Sequence, residues 1–153
     1  MDEYSHRLPL WINNSYSLLL KLNNSFAIPS NITLHLHLQI LAGNRISKID
    51  KDITESLPNL SSLVLTGNLI AKISDLEPLF RSKTLERLTL LDNHVTAVPH
   101  FREYIIYKIP TLRYLNFLKV KEKERLEAAQ LFNSPDAAKV FAEMGYELDE
   151  EME

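Results

Sequence analysis

The chain has 153 residues, and its 17 basic and 20 acidic residues give a formal net charge of −3 at pH 7. This length fits one domain, and the balanced charge argues neither for nor against nucleic-acid binding. The chain contains no cysteine, which favours a reducing compartment, the cytosol or the nucleus. The apolar stretch from Leu8 to Leu22 is interrupted by Asn13, Asn14 and Ser15, so neither a membrane span nor a signal peptide is predicted.

Residues 1–35 form a divergent segment without a clear pattern. Leucines at positions 18, 19, 20 and 22 precede Asn23 and Asn24. This is compatible with a degenerate copy of the repeat described next, although Lys21 would then occupy an apolar position. Four Asn-x-Ser/Thr triplets begin at Asn13, Asn23, Asn31 and Asn59. Such triplets are frequent by chance where asparagine and serine are common, so glycosylation is not predicted.

A pattern of leucines followed by an asparagine recurs three times in residues 36–95. The second and third copies read Leu-x-x-Leu-x-Leu-x-x-Asn-x-Ile/Val, and the asparagines at positions 44, 68 and 93 are 24 and 25 residues apart. This period lies in the window of about 20–29 residues that is typical of leucine-rich repeats. Residues 36–118 are therefore predicted to form an α/β leucine-rich repeat solenoid with a parallel, concave β-sheet.

The asparagines and glycines of the repeat have predicted structural roles. A side-chain amide carries both donors and an acceptor, so Asn44, Asn68 and Asn93 can satisfy backbone groups where the chain turns out of each strand. Gly43 and Gly67 each precede a repeat asparagine, which indicates a requirement of backbone geometry. No catalytic role follows from these residues.

The C-terminal third is predicted to close the solenoid with a helical cap. Residues 100–110 have helical spacing before a proline, and one more strand follows at Leu112-x-x-Leu115-x-Phe117. Residues 120–132 and 134–144 are predicted helices within a charged tail, 119–153, whose acidic end at 149–153 is predicted to be disordered. Arg102 and Lys108 are expected to be surface charges of the cap.

Side chains between the core positions of each strand face the concave side and form three predicted rows. Several are apolar, which suggests a docking site for a helix or another apolar face, with Arg87 and Tyr114 as anchors. The alternative is that scattered exposed apolar residues carry no function. The rows are Leu38, Ser62, Arg87, Tyr114; Ile40, Val64, Thr89, Asn116; and Ala42, Thr66, Leu91, Leu118, and the predicted protein-binding residues are all of these except Ala42 and Leu118.

Lys119, Lys121 and Lys123, with Arg125, are candidates for contacting an RNA phosphate backbone. The alternative is a solvated helix face with local ion pairs, because Glu122, Glu124 and Glu127 alternate with these cations. The residues alone leave this choice open.

Enzyme signatures are weak in this sequence. His35 and His37 share a strand face, but no cysteine or carboxylate motif completes a metal site. With three glycines, Gly43, Gly67 and Gly145, no phosphate-binding loop is available. No catalytic residue, metal or cofactor is predicted.

Several segments together resemble the U2 small nuclear ribonucleoprotein A-prime family. They are residues 56–68, 75–79, 88–95, the cap run FREYIIYKIP at 101–110, and VKEKERLEA at 120–128. Members of that family begin with a cap helix and two well-formed repeats, which residues 1–35 do not show.

The resemblance implies a non-catalytic scaffold in the nucleus that acts in pre-mRNA splicing. It further implies binding to the RNA-recognition-motif protein B-double-prime and support of its hold on a stem-loop of U2 small nuclear RNA, which is contacted mainly through the partner. It implies neither a membrane nor a small-molecule substrate. The alternative is a generic intracellular leucine-rich adaptor, of the phosphatase-regulator or acidic nuclear type, that binds protein alone.

Overall fold

The computed structural model describes residues 38–145 of the chain. The expectations for the rest of the chain lie outside these residues. They concern the apolar stretch Leu8–Leu22, the Asn-x-Ser/Thr triplets at Asn13, Asn23 and Asn31, the degenerate repeat around Asn24, the His35–His37 pair, the start of the first copy at Leu36 and the acidic end at 149–153. Within the described part, no helix is long and apolar enough to cross a membrane.

Five short strands form one sheet in chain order. Strands β1 (Leu38–Ile40), β2 (Ser62–Val64), β3 (Arg87–Thr89) and β4 (Tyr114–Leu115) are parallel, and β5 (Leu118–Lys119) runs antiparallel to β4. The register aligns Leu38, Ser62, Arg87 and Tyr114 in one row. Ile40, Val64 and Thr89 form the next row. These alignments confirm the predicted parallel sheet and most of its first two rows.

Helical segments return the chain from each strand to the next. Helix α1 spans Ile53–Ser56, and two 3₁₀ segments span Ile73–Arg81 and His94–Ala97. The core between sheet and helical segments is filled by the leucine, isoleucine and valine positions of the repeat. Its most buried members include Ile46, Leu63, Leu65, Ile70, Leu76, Leu85, Leu88, Leu90 and Val95.

Asn68 and Asn93 connect neighbouring coils through buried hydrogen bonds. The Asn68 side-chain amide donates to the carbonyls of Leu65 (2.8 Å) and Leu41 (2.9 Å), and its oxygen accepts from the amide of Ile46 (3.1 Å). Asn93 repeats this arrangement one coil later, with Leu90, Leu65 and Ile70. The predicted structural role of these asparagines is confirmed.

The residue before each repeat asparagine has a left-handed backbone. Gly43 and Gly67 both have φ = +69°, and Asp92 takes the same place in the third copy with φ = +57°. Gly43 and Gly67 donate their amides to Thr66 and Leu91 of the next coil. Positive φ is easiest for glycine, so the predicted geometric role of these glycines is confirmed.

Three helices and a β-hairpin close the C-terminal end. Helix α2 spans Phe101–Lys108, α3 spans Glu122–Phe132 and α4 spans Ala137–Glu143, each slightly shorter than its predicted segment. Tyr104 of α2 lies at the centre of an aromatic cluster, with ring centroids 5.0 Å from Phe132 and 5.9 Å from Phe141. The predicted helical cap is confirmed.

The last strand differs from its prediction. A single strand was expected to run on towards Leu118, but the chain reverses at Asn116 and Phe117, where φ is +50° and +66°. Leu118 therefore pairs with Leu115 in the antiparallel hairpin. The prediction that Leu118 continues the row of Leu91 is wrong, because a reversed strand does not follow the parallel register.

We predict that Asn93→Ala lowers the free energy of unfolding by about 3 kcal/mol. The change removes a side chain that is 4 % exposed and leaves buried backbone groups of two coils unpaired, at about 1–3 kcal/mol each. Urea unfolding followed by circular dichroism measures the change.

Asn44→Ala is the matched control. Asn44 is half-buried, and its amide donates to carbonyls of its own turn, Leu41 and Ala42. Its replacement should cost about 1 kcal/mol. An equal loss in the two variants would contradict the role given to the buried ladder.

Candidate protein-interaction surface

The concave face of the sheet carries the predicted rows, and its best-defined contact joins Arg87 to Tyr114. The Arg87 guanidinium carbon lies 5.0 Å from the centroid of the Tyr114 ring, a cation–π distance. Arg87 is exposed and Tyr114 is half-buried. The two predicted anchors are therefore neighbours, held together before any partner arrives.

The other positions of the rows differ in accessibility. Ser62, Val64 and Thr66 are half-buried, and Leu91 is 38 % exposed. Together with Arg87 and Tyr114 they present a surface with apolar and cationic portions to solvent. Leu38 and Ile40 occupy the corresponding positions of β1.

Two predicted binding residues have structural surroundings that the rows did not indicate. Thr89 is only 5 % exposed, so the expectation that it faces solvent is wrong. The Asn116 side-chain oxygen accepts the amide of Leu90 at 2.6 Å. The equivalent amides of Leu41 and Leu65 donate instead to backbone carbonyls of the next strand. At Asn116 the side-chain oxygen takes the place of that carbonyl, because the backbone has begun to turn.

The reversal of β5 changes the place of Lys119. Lys119 pairs with Tyr114 across the antiparallel hairpin, and residues directly opposite each other project from the same face of a sheet. Lys119 therefore extends the row of Arg87 and Tyr114. Sequence analysis assigned Lys119 to a separate basic segment because the leucine pattern does not predict a hairpin.

Lys121 and Lys123 are exposed. Lys121 directly precedes helix α3, and Lys123 lies in its first turn. The Lys121 amide donates to the Glu124 carboxylate at 2.9 Å, which caps the start of α3. The Lys123 ammonium lies 3.7 Å from the Glu127 carboxylate, one turn away. An exposed pair of this kind contributes about 0–1 kcal/mol, so it leaves Lys123 available to another anion.

Arg125 is not available in the same way. Its guanidinium donates to the carbonyls of Ile106 and Leu112, and it is half-buried. Grouping Arg125 with the RNA-facing lysines was therefore wrong, since its donors fasten α3 to the end of α2.

Arg102 holds the hairpin and the cap together. Its guanidinium binds the Glu124 carboxylate through two hydrogen bonds, 2.7 and 3.1 Å, and also donates to the carbonyls of Leu115 (3.2 Å) and Lys119 (3.3 Å). The expectation that Arg102 is a surface charge was wrong. One side chain of α2 thus fixes both strands of the hairpin and the first turn of α3.

The Arg102 contact also sets the titration of Glu124. The Arg102 hydrogen bonds are the largest cause of a pKa of Glu124 below the ordinary 4.5. Burial, the next cause in size, raises the pKa, and the hydrogen bond from the Lys121 amide lowers it again. Elsewhere in residues 38–145, no three His, Cys, Asp or Glu side chains are placed to hold a metal ion.

Comparison with known proteins identifies the family. A leucine-rich repeat family model matches residues 19–145. The chain belongs to the leucine-rich repeat family.

Relatives within that family agree with the resemblance seen in the sequence. The chain is 43 % identical over 105 residues to the probable U2 small nuclear ribonucleoprotein A' of Drosophila melanogaster, covering 69 % of this chain and 40 % of the relative. It is 42 % identical over 101 residues to the human U2 small nuclear ribonucleoprotein A', covering 66 % of this chain and 40 % of the relative. The resemblance is confirmed, and the chain spans about 40 % of the length of these curated relatives.

Two solved structures are similar to this chain. The crystal structure of the Drosophila melanogaster SNF/U2A' complex matches with a TM-score of 0.68 and 42 % identity, over 71 % of this chain and 62 % of that one. The Mex67 leucine-rich repeat domain of Chaetomium thermophilum matches with a TM-score of 0.56 and 24 % identity, over 75 % of this chain and 79 % of that one. The second match supports the fold alone.

We predict that Glu124→Gln changes the acid dependence of stability. A carboxylate whose pKa is lowered on folding stabilises the folded state above its unfolded pKa, and this contribution is lost as pH falls through the folded value. The wild type should therefore lose more stability than the variant as pH falls from about 5 through that lowered value. Urea unfolding at a series of pH values measures the difference.

Glu127→Gln is the control at neutral pH. It removes the exposed partner of Lys123 and should change stability by less than about 0.5 kcal/mol, whereas Glu124→Gln should cost about 1 kcal/mol. If the free energy of unfolding falls equally for the wild type and Glu124→Gln as the pH is lowered, the Arg102–Glu124 pair does not stabilise the fold.

Proposed function

We propose that this chain is a non-catalytic scaffold of the U2 small nuclear ribonucleoprotein, acting in pre-mRNA splicing in the nucleus. It binds an RNA-recognition-motif protein of the B-double-prime type and supports that protein's hold on a U2 RNA stem-loop. The observation that carries the proposal is the match to a U2A' chain crystallised with SNF, at 42 % identity over 71 % of this chain.

The concave sheet is the proposed protein-binding surface. Among its apolar residues, Val64 pairs with Thr89, two residues before Leu91. The Arg87–Tyr114 pair provides a preformed aromatic and cationic contact. Tyrosine and arginine are enriched among residues that dominate binding energy. A convex element of the partner, such as a helix, fits a curved sheet of this kind.

RNA contact is proposed for Lys119, Lys121 and Lys123. All three are exposed at the C-terminal end of the sheet, and Lys119 lies in the same row as Tyr114. With this arrangement, a protein partner can bind the sheet while the phosphate backbone of its RNA contacts the lysines at the end of the sheet. Most of the RNA contacts would still belong to the partner.

Assembly tests the proposal as a whole. The purified chain is mixed with a B-double-prime-type recognition motif and its U2 stem-loop RNA, and the product is measured by size exclusion with light scattering. We expect a 1:1:1 complex. A folded chain that joins neither component would instead favour the generic leucine-rich adaptor.

We predict that Val64→Asp and Leu91→Asp each weaken binding to the recognition-motif protein by about tenfold or more. Each variant places a charge against an apolar contact while leaving the core leucines in place. Isothermal titration calorimetry measures the dissociation constant, and circular dichroism checks the fold.

Leu126→Asp is the control, because Leu126 is apolar and 58 % exposed but lies on helix α3 rather than on the sheet. It should bind like the wild type. Wild-type affinity in the two sheet variants would exclude the concave face as the binding surface.

We predict that replacing Lys119, Lys121 and Lys123 together by Gln reduces the salt dependence of ternary-complex formation. Each lost phosphate contact lowers the slope of log affinity against log salt by about 0.7–0.9. Affinity is measured at several salt concentrations with the RNA present.

Lys48, Lys51 and Lys83 are exposed and lie beside the helical segments rather than on the strands. Replacing these three by Gln makes the same charge change away from the sheet. This control should keep the wild-type slope. If the first triple variant also keeps that slope, its lysines do not contact phosphate.

A further inference from the structure

The tip of the β4–β5 hairpin contains an unusual residue. Tyr114 pairs with Lys119 and Leu115 with Leu118, so Asn116 and Phe117 form a two-residue loop, and both have positive φ. This combination is typical of a type I′ turn, which favours Asn at the first position and Gly at the second. Phe117, with φ = +66°, occupies the position that normally requires glycine.

Phe117 is also strongly exposed. It is 72 % exposed, and its neighbour Leu118 is 62 % exposed, the two highest values among the large apolar residues of the described part. A bulky aromatic with positive φ is a steric outlier, and its ring gains little from burial in the isolated chain. The ring belongs neither to the buried core nor to the aromatic cluster around Tyr104.

The contacts that hold the turn in place are made by other groups. Arg102 donates to the carbonyls of Leu115 and Lys119 on the two strands, the Asn116 side chain accepts from Leu90, and the Val120 amide donates to the Arg113 carbonyl at 2.8 Å. These bonds involve backbone groups, Arg102 and Asn116. A glycine at position 117 could adopt the same turn with less strain.

The surroundings of the tip indicate the chemistry of what would cover it. Lys119 follows the apolar pair directly, and Lys121 lies two residues further on, where its charge also acts on Glu124. Neither lysine is in a salt bridge among the described residues. The two lysines place positive charge on the C-terminal side of the apolar tip. A complementary surface is an apolar pocket with acidic side chains at its edge.

We propose that Phe117 is an apolar anchor that inserts into an acid-rimmed pocket of the same recognition-motif protein that binds the concave sheet. The inference rests on the proposed function, since the hairpin continues that sheet: β5 is its last strand, and Lys119 projects from the same face as Tyr114. The partner would therefore contact the sheet and, at its edge, the strained tip.

The proposal predicts opposite effects on folding and on binding. Phe117→Gly should leave the urea midpoint unchanged or raise it, because glycine relieves the positive-φ strain. The same change should weaken binding to the recognition-motif protein, without RNA, by about tenfold or more. Phe117→Asn, which also tolerates positive φ, should behave in the same way.

Two controls sharpen the measurement. Leu126→Ala removes an exposed apolar side chain from α3 and should leave affinity unchanged. The loss caused by Phe117→Gly should persist at high salt, because an apolar contact is not screened as ionic contacts are.

Each other outcome overturns the inference in a different way. Wild-type affinity in Phe117→Gly, with Val64→Asp still weakened, removes the anchor and keeps the proposed function; absence of binding by the wild type removes both. Lower stability in Phe117→Gly and Phe117→Asn would mean that the ring serves the fold. A loss seen only with RNA present would indicate base stacking, and a wild-type dimer that Phe117→Gly dissociates would indicate a second copy of the chain.

Discussion

The asparagine ladder is the interaction on which the rest of the structure depends. Each coil of a solenoid turns sharply after its strand, so backbone amides and carbonyls would be buried without partners. Asn68 and Asn93 supply both a donor and an acceptor at this place and bridge successive coils. Stacking thereby aligns the strands, and the alignment creates the concave rows. The proposed binding surface is a consequence of that bond pattern.

The same requirement is met differently where the repeats end. At the last coil the chain reverses, and the Asn116 side chain accepts the amide that a strand carbonyl would have accepted. Arg102 then satisfies carbonyls on both sides of the reversal and binds Glu124 at the start of α3. The end of the sheet is thus held by side-chain hydrogen bonds as well as by its strand pairing. These bonds hold the backbone on both sides of the strained residue at the tip of the hairpin.

The surface at this end combines features that are separate along the chain. Arg87 and Tyr114 come from two parallel strands, while Lys119 reaches the same row from an antiparallel one. Phe117 stands at the turn between them. A partner that covers the sheet would therefore contact the apolar Val64 and Leu91 as well as the aromatic and cationic side chains of this row. The edge of the partner would then contact the tip of the hairpin and the exposed lysines that follow it.

The sequence by itself determined the repeat, the parallel sheet, the core leucines and the roles of Asn68, Asn93, Gly43 and Gly67. Those features have a fixed period, and each follows from a local requirement for burial or for backbone bonding. The cap helices were also predictable from apolar spacing and proline, to within a few residues at their ends.

Only the tertiary structure decided the hairpin reversal, the burial of Thr89, the use of Asn116, Arg102 and Arg125 inside the cap, and the entry of Lys119 into the concave row. These features depend on contacts between segments that the leucine pattern does not relate. The turn at Asn116–Phe117 contains no glycine, so the sequence carries no signal for a tight turn there. Hydrogen bonds from distant residues hold the strained backbone instead. The period of the repeat therefore specified the scaffold, while hydrogen bonds between the sheet, the hairpin and the cap helices specified the candidate site.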